Sequence, residues 1–151
     1  MLEMPVTALS LLMNILSGLF TTDLPATHII QEHKEIYCLA LNSYWEARGE
    51  PFDDKIATAQ VVMNRVENNR YPDDVCSVIT QGPKRESWKT QKNPSMPHSE
   101  RKYFPVLNRC QFSWFCDGRT DSISNLRGWE DSVISAYLVY TGYGEDKVNG
   151  A

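Results

Sequence analysis

Apolar residues return with a period near 3.6 along three stretches of this 151-residue chain. Over residues 30–48, Ile36, Leu39, Ala40, Ser43 and Ala47 share one face of a helical wheel, which predicts an amphipathic helix laid on a core. Gly49 stops that helix, with Pro51 just beyond. Asp53 or Asp54 is placed to cap a second helix reaching about residue 68, with Ile56, Ala59, Met63 and Val66 as its buried stripe. Tyr71-Pro72 closes it, and Asp73 or Asp74 opens a short third helix through Ile79. A last helix is predicted over residues 129–140, with Trp129, Val133, Ala136, Tyr137 and Tyr140 on one side and Gly142 and Gly144 beyond its end.

The intervening segments read differently. Residues 81–105 hold Pro83, Pro94, Pro97 and Pro105 among many charges and are expected to form a long surface loop, a place where function concentrates. The run Cys110-Gln-Phe-Ser-Trp-Phe-Cys116, followed by Asp117-Gly118, suggests a β-hairpin strand and its turn. Near the start, Leu12, Ile15 and Leu19 recur at helical spacing over residues 8–20, without the basic flank of a signal peptide. That stretch is expected to dock on the domain or on a protein partner. The resulting division is an apolar segment over 1–28 and one domain over 29–151. Helices, a small β-element and a final helix define an α+β fold.

Composition narrows the choices. With 42% hydrophobic and 23% charged residues the chain is an ordinary globular protein, not a disordered, collagenous or coiled-coil one. No apolar run approaches the roughly 20 residues of a membrane span. Net charge is −4, yet residues 81–102 carry six basic groups against Glu86 and Glu100, a net +4 that leaves −8 elsewhere. An acidic body is a poor general nucleic-acid binder, because duplex affinity comes mostly from phosphate neutralisation. A local basic segment on such a body suits a fixed anionic surface, or is simply a solvated loop. Of the four cysteines, Cys38 sits in an apolar helical stretch and reads as a small hydrophobe, while one disulfide among Cys76, Cys110 and Cys116 is open. A zinc site from His98 and these cysteines fits no ligand spacing, and no metal or cofactor is expected.

The residue best placed for chemistry is Glu46. It falls at the margin of the apolar stripe, close to Leu39 and Ser43, within one turn of its helix's C-terminus. Burial disfavours the carboxylate anion, and the negative end of the helix dipole does the same. A carboxyl kept neutral near pH 7 is what general-acid attack on a glycosidic oxygen requires. The competing structural reading is a helix-end Glu paired with Arg48, Arg65 or Lys34. Glu50, just past the helix, is either a second carboxylate or a cap for the following helix.

The string Tyr44-Trp45-Glu46-Ala47-Arg48-Gly49-Glu50-Pro51 resembles the E-x-R-G-E-P signature of the SleB/CwlJ cell wall hydrolases, which include spore cortex-lytic enzymes. Three further segments follow in order: residues 56–66 ending in Asn64-Arg65-Val66, then Tyr71-Pro72 with Val75-Cys76-Ser77-Val78-Ile79, then Gln111-Phe112-Ser113 with Cys116-Asp117-Gly118. The resemblance covers about residues 33–142. It implies a mainly helical, lysozyme-like domain of the lytic transglycosylase type with a small β-hairpin. It also implies cleavage of the MurNAc-β-1,4-GlcNAc bond of peptidoglycan glycan strands, with Glu46 as acid and base and the sugar's own 6-hydroxyl as nucleophile. Gln111 and Ser113 would then hydrogen-bond sugar substituents, and Tyr71, Phe112, Trp114 and Trp45 would offer flat faces to sugar rings, with core filling as their alternative. Arg48 and Arg65 would brace Glu50 or the helix junction, and Asn64 would fix a loop backbone.

Residues 81–109 look longer and more basic than the family pattern and are expected to line a groove and touch muramyl peptides or teichoic-type anions. The family pattern continues past an N-G-A-like stretch with an N-P-x-W-like motif, whereas this sequence ends at Asn149-Gly150-Ala151, so either part of the groove wall is missing or the sequence is a fragment of a longer chain. Two alternatives accompany this reading: a hydrolytic muramidase using Glu50 or Asp54 to activate water, and an inactive wall-binding or virion-assembly module. The expected location is the cell envelope or the extracellular space, with a phage particle or phage-infected cell as a further setting.

Overall fold

In the computed structural model, residues 27–142 and Val148 are described, with side chains from Lys34 onward. Helix α1 runs Thr27–Glu46, α2 Phe52–Val66, α3 Val75–Ile79, α4 Trp88–Gln91 and α5 Leu126–Tyr140. Strands β1 (Lys84–Glu86) and β2 (Tyr103–Pro105) form a two-stranded antiparallel ribbon, and single 3₁₀ turns cover His98–Glu100 and Ser113–Cys116. The fold is thus α+β and mainly helical, as expected. The apolar stretch 8–20 and residues 149–151 lie outside the described residues.

The core forms where α1, α2, α3 and α5 meet, and α5 packs on both α1 and α2. Ile36, Leu39, Ala40, Ser43 and Ala47 are all buried, so the stripe read from the sequence is the face α1 turns inward. Leu39, Val62, Val75 and Val78 are fully enclosed, each such side chain contributing about 1.5–3 kcal/mol by leaving water. Glu35 stitches three helices: its carboxylate accepts from the Val75 backbone N–H at 3.2 Å and from the Tyr140 hydroxyl at 2.9 Å.

Several local expectations are corrected. Cys38 is not a free core residue; it is bonded to Cys76, joining α1 to the first turn of α3. Cys110 pairs with Cys116. The β-hairpin lies within the segment expected to be a loop: Lys84 pairs with Pro105, Arg85 with Phe104 and Glu86 with Tyr103. What orders it is charge. Arg101 donates to Glu86 at 2.7 Å and to the carbonyls of Asn93 and Pro94, and Thr90 donates to the same Glu86 oxygen. Residues 110–118 are not a strand and turn, because the Cys110–Cys116 bond closes so short a span that the chain winds into a 3₁₀ turn instead. Nor do Asp53 or Asp54 cap α2; Pro51 stands at that position with no side-chain bond, and the two acids sit in the first turn, where they complement the helix dipole.

Candidate active site

Glu46 is the last helical residue of α1. The chain leaves the helix through Gly49 at φ 77°, a left-handed conformation that carries no penalty without a Cβ. Lys55 then fixes this exit from α2. It is buried, and its Nζ donates to the carbonyls of Ala47 at 2.9 Å and Glu50 at 3.0 Å. An ammonium group thereby satisfies carbonyls at the negative end of α1.

Beyond this end opens a cleft of about 940 Å³. Trp45, Glu46 and Arg48 form one side, Ser113 and Trp114 of the 3₁₀ turn another, and Asp117, Arg119, Thr120, Asp121, Ser122 and Ser124 the rest. Both far walls are tied to α1. The Trp114 indole N–H donates to Asn42 Oδ1 at 2.9 Å, and the Tyr44 hydroxyl accepts from the backbone N–H groups of Ser124 at 3.3 Å and Asn125 at 3.2 Å. Asn125 in turn caps α5 by accepting from the Gly128 N–H. The polar loop is therefore held between α1 and the start of α5.

Glu46 makes no ion pair among the described residues, where the one salt bridge joins Arg101 to Glu86. Arg48, one of three partners weighed for it, lies instead over the Trp45 ring at 5.2 Å. Partial burial raises the Glu46 carboxyl above its ordinary value. Across the cleft, Asp121 is also raised, by partial burial and then by the neighbouring Asp117 carboxylate. The site thus offers the raised Glu46 carboxyl, two further carboxyls, two guanidinium groups and hydroxyls from Ser113, Thr120, Ser122 and Ser124.

Of the residues singled out from the sequence, Glu46, Arg48, Ser113, Trp114 and Trp45 meet in this cleft; Gln111, Phe112, Tyr71, Glu50, Asn64 and Asp54 are not among its lining. Tyr71 and Phe112 flank Arg65, whose guanidinium carbon lies 5.4 Å and 5.3 Å from their rings. Gln111 is exposed, and its backbone N–H donates to the Gln81 carbonyl at 2.8 Å. Glu50 is exposed in the turn after α1, and Asn64 is half-buried in the last turn of α2. Lys55, Tyr44, Asn42 and the loop 117–125 were not singled out as positioning elements. Only the Asp117-Gly118 dipeptide hinted at the loop, and nothing in residue spacing brings it over the end of α1. The cysteines are consumed by disulfides, and no group of three metal-ligating side chains occurs among the described residues. No described helix is long and apolar enough to cross a membrane.

A helical α+β domain with an acid at the lip of an open polar cleft is suited to an extended polar ligand. The chain belongs to the cell wall hydrolase family, of the SleB/CwlJ type: the family model for cell wall hydrolases matches residues 49–151. That span begins three residues after Glu46. The chain is also similar to spore cortex-lytic enzymes, with 37% identity over 65 residues to that of Oceanobacillus iheyensis (42% of this chain, 24% of the relative). For the enzyme of Halalkalibacterium halodurans the values are 38% over 58 residues (38% and 17%), and for that of Bacillus subtilis 40% over 47 residues (31% and 15%). The matches thus span less than a quarter of each relative's length. No solved structure is a significant match.

Proposed function

We propose that this domain cleaves the MurNAc-β-1,4-GlcNAc bond of peptidoglycan, acting as a lytic transglycosylase with Glu46 as its acid and base. The observation that carries the reading is a carboxyl on the wall of an open polar cleft, free of any ion pair among the described residues and raised by partial burial. Glu46 gives its proton to the glycosidic oxygen as the bond to C1 breaks. The carboxylate left behind takes the proton of the muramyl 6-hydroxyl as that oxygen bonds to C1, closing a 1,6-anhydro ring. Donor and acceptor are the same group, so no second carboxylate is required. In this reading Ser113 and the indole of Trp114, both lining the cleft, hold the sugars, and Arg48, spread on Trp45, meets an acidic substituent.

Family membership and the similarity to spore cortex-lytic enzymes support a wall polymer as substrate and the cell envelope or extracellular space as the place of action. They give no support to a phage setting. A hydrolytic course through Glu50 or Asp54 gains nothing from the geometry, since neither lines the cleft. Digestion of purified sacculi followed by mass spectrometry tests the proposal. Anhydro-muramyl ends are expected. Reducing muramyl ends alone would make the enzyme a muramidase, and release of no fragments would make it a binding module.

A further inference from the structure

Six large apolar side chains stand exposed among the described residues, and four of them, Trp88, Tyr103, Phe104 and Leu107, cluster on or beside the β1–β2 hairpin. Trp88 is 61% exposed and Phe104 56%. Such a concentration of aromatic surface in water marks a contact surface. Trp88, Phe104 and Leu107 line one groove of about 570 Å³, with Arg85, Ser87 and Gln91 also on its walls.

The charge around this groove is mainly positive. Lys92 and Lys89 hold their ammonium groups 4.6 Å and 5.9 Å from the Trp88 ring. Lys84, Arg85 and Lys102 have no ion-pair partner among the described residues. The one acid on the groove wall, Glu86, is occupied by Arg101 at 2.7 Å and by the Thr90 hydroxyl at 3.1 Å. Because Arg101 also grips two backbone carbonyls of the intervening loop, the groove is held in shape without a ligand. Flat apolar faces flanked by unpaired cations fit pyranose rings that carry carboxylates. A chain of net charge −4 is poorly matched to a polyphosphate, and a concave surface suits a strand better than a flat membrane.

The groove also adjoins the cleft. Leu107 approaches Gly118 so closely that a Cβ there would lie 3.2 Å from its Cδ1, and Gly118 stands between the cleft residues Asp117 and Arg119. The Asn108 N–H donates to the Cys116 carbonyl at 2.8 Å, fastening the two segments together.

We propose that the hairpin groove is a second binding site for the peptidoglycan strand, in which Trp88 and Phe104 carry sugar rings and Lys89, Lys92 and Arg85 meet stem-peptide carboxylates, while Glu46 works on the same strand further along. This proposal rests on peptidoglycan being the substrate, but it is tested by binding, whereas the reaction is tested by fragments released.

The experiment measures sedimentation of the full Glu46→Gln chain with sacculi stripped of teichoic acids, with untreated sacculi, and with phosphatidylglycerol vesicles. Trp88→Ala and, separately, a Lys89→Glu/Lys92→Glu double variant are added to that background, with thermal melts to confirm folding. Stripped sacculi are expected to bind, about tenfold more weakly after either change, as for a central aromatic anchor. Equal binding by folded variants overturns the proposal. So does binding only to untreated sacculi, which would assign the groove to teichoic acid, or Trp88-dependent binding only to vesicles, which would assign it to lipid. Should the wild-type chain release no fragments while Trp88-dependent binding persists, the groove stands and the transglycosylase reading falls.

Discussion

The indole nitrogen of Trp114 donates to Oδ1 of Asn42 at 2.9 Å, and Asn42 lies one helical turn before Glu46 on α1. The side wall of the cleft and its acid are therefore hung from adjacent turns of one helix. Asn42 is fully buried, and its amide nitrogen has no partner among the described residues, so the Trp114 bond is this side chain's one hydrogen bond among them. Trp114→Phe keeps a ring in the cleft but strands the Asn42 oxygen. A loss of about 1–3 kcal/mol is expected, the penalty of an unpaired buried acceptor, read from urea unfolding at constant m-value. No change in stability would show that the bond does not tie the wall to α1.

Lys55 makes a second test of how the acid is positioned. Lys55→Met preserves most of the side chain's length and apolar stem but removes the ammonium group from the carbonyls of Ala47 and Glu50. The expected cost is about 2 kcal/mol, since hydrogen bonds to charged groups are worth more than neutral ones. Sacculus cleavage is expected to fall further than the loss of folded protein explains, because the end of α1 that carries Glu46 loosens. Lys55→Arg, with its longer planar head, is expected to restore only part of the stability. Full activity in a destabilised Lys55→Met would separate Lys55 from the site.

Burial raises the Glu46 carboxyl above the ordinary value of 4.5, which fixes the sign of a pH effect. The folded state prefers the neutral form, so the benefit of the bound proton is fully present below the unfolded value and is lost as pH rises through the raised folded value. Glu46→Gln removes the ionisation. It is therefore expected to melt higher than wild type at pH 7, with the gap closing as the pH is brought below about 4. Melting curves across that range check the direction. A variant less stable than wild type at neutral pH would mean that the Glu46 anion is stabilised in the fold.

The helical part of this architecture was legible because burial imposes the 3.6-residue period directly on α1, α2 and α5. Ile36, Leu39, Ala59, Val133 and Ala136 report it without help from the rest of the chain. The hairpin was not legible. Its strands are three residues each, too short for an alternation to register, and they are assembled by Arg101 reaching back to Glu86. Phe112 and Trp114 alternate like a strand but belong to a turn shaped by a disulfide. In the site, Glu46 could be found because its helix announces its own end. Lys55, Asn42 and Tyr44 could not: Asn42 and Tyr44 bond segments 72 and 81 residues away, and Lys55, though its partners are near in sequence, is a buried Lys, which charge alone places at the surface.

The two disulfides should differ in what their loss does. Cys38–Cys76 spans 38 residues and Cys110–Cys116 only 6, so chain-entropy arguments give about 4 and about 2 kcal/mol. Cys38→Ser/Cys76→Ser is expected to lower the melting temperature more than Cys110→Ser/Cys116→Ser. The second pair holds the turn bearing Ser113 and Trp114, so its loss is expected to reduce cleavage disproportionately. A thiol count on the denatured wild type should find none free among the four cysteines. Equal melting shifts for both double variants would contradict the loop-length argument.

Most direct is the comparison of wild type with Glu46→Gln on purified sacculi, with released fragments identified by mass spectrometry. A general acid is worth about 10²–10⁴ in rate, so Glu46→Gln should remain folded and release fragments at least about a hundredfold more slowly, while wild type yields 1,6-anhydro-muramyl ends. Fragment release by folded Glu46→Gln at the wild-type rate would contradict the assignment of Glu46.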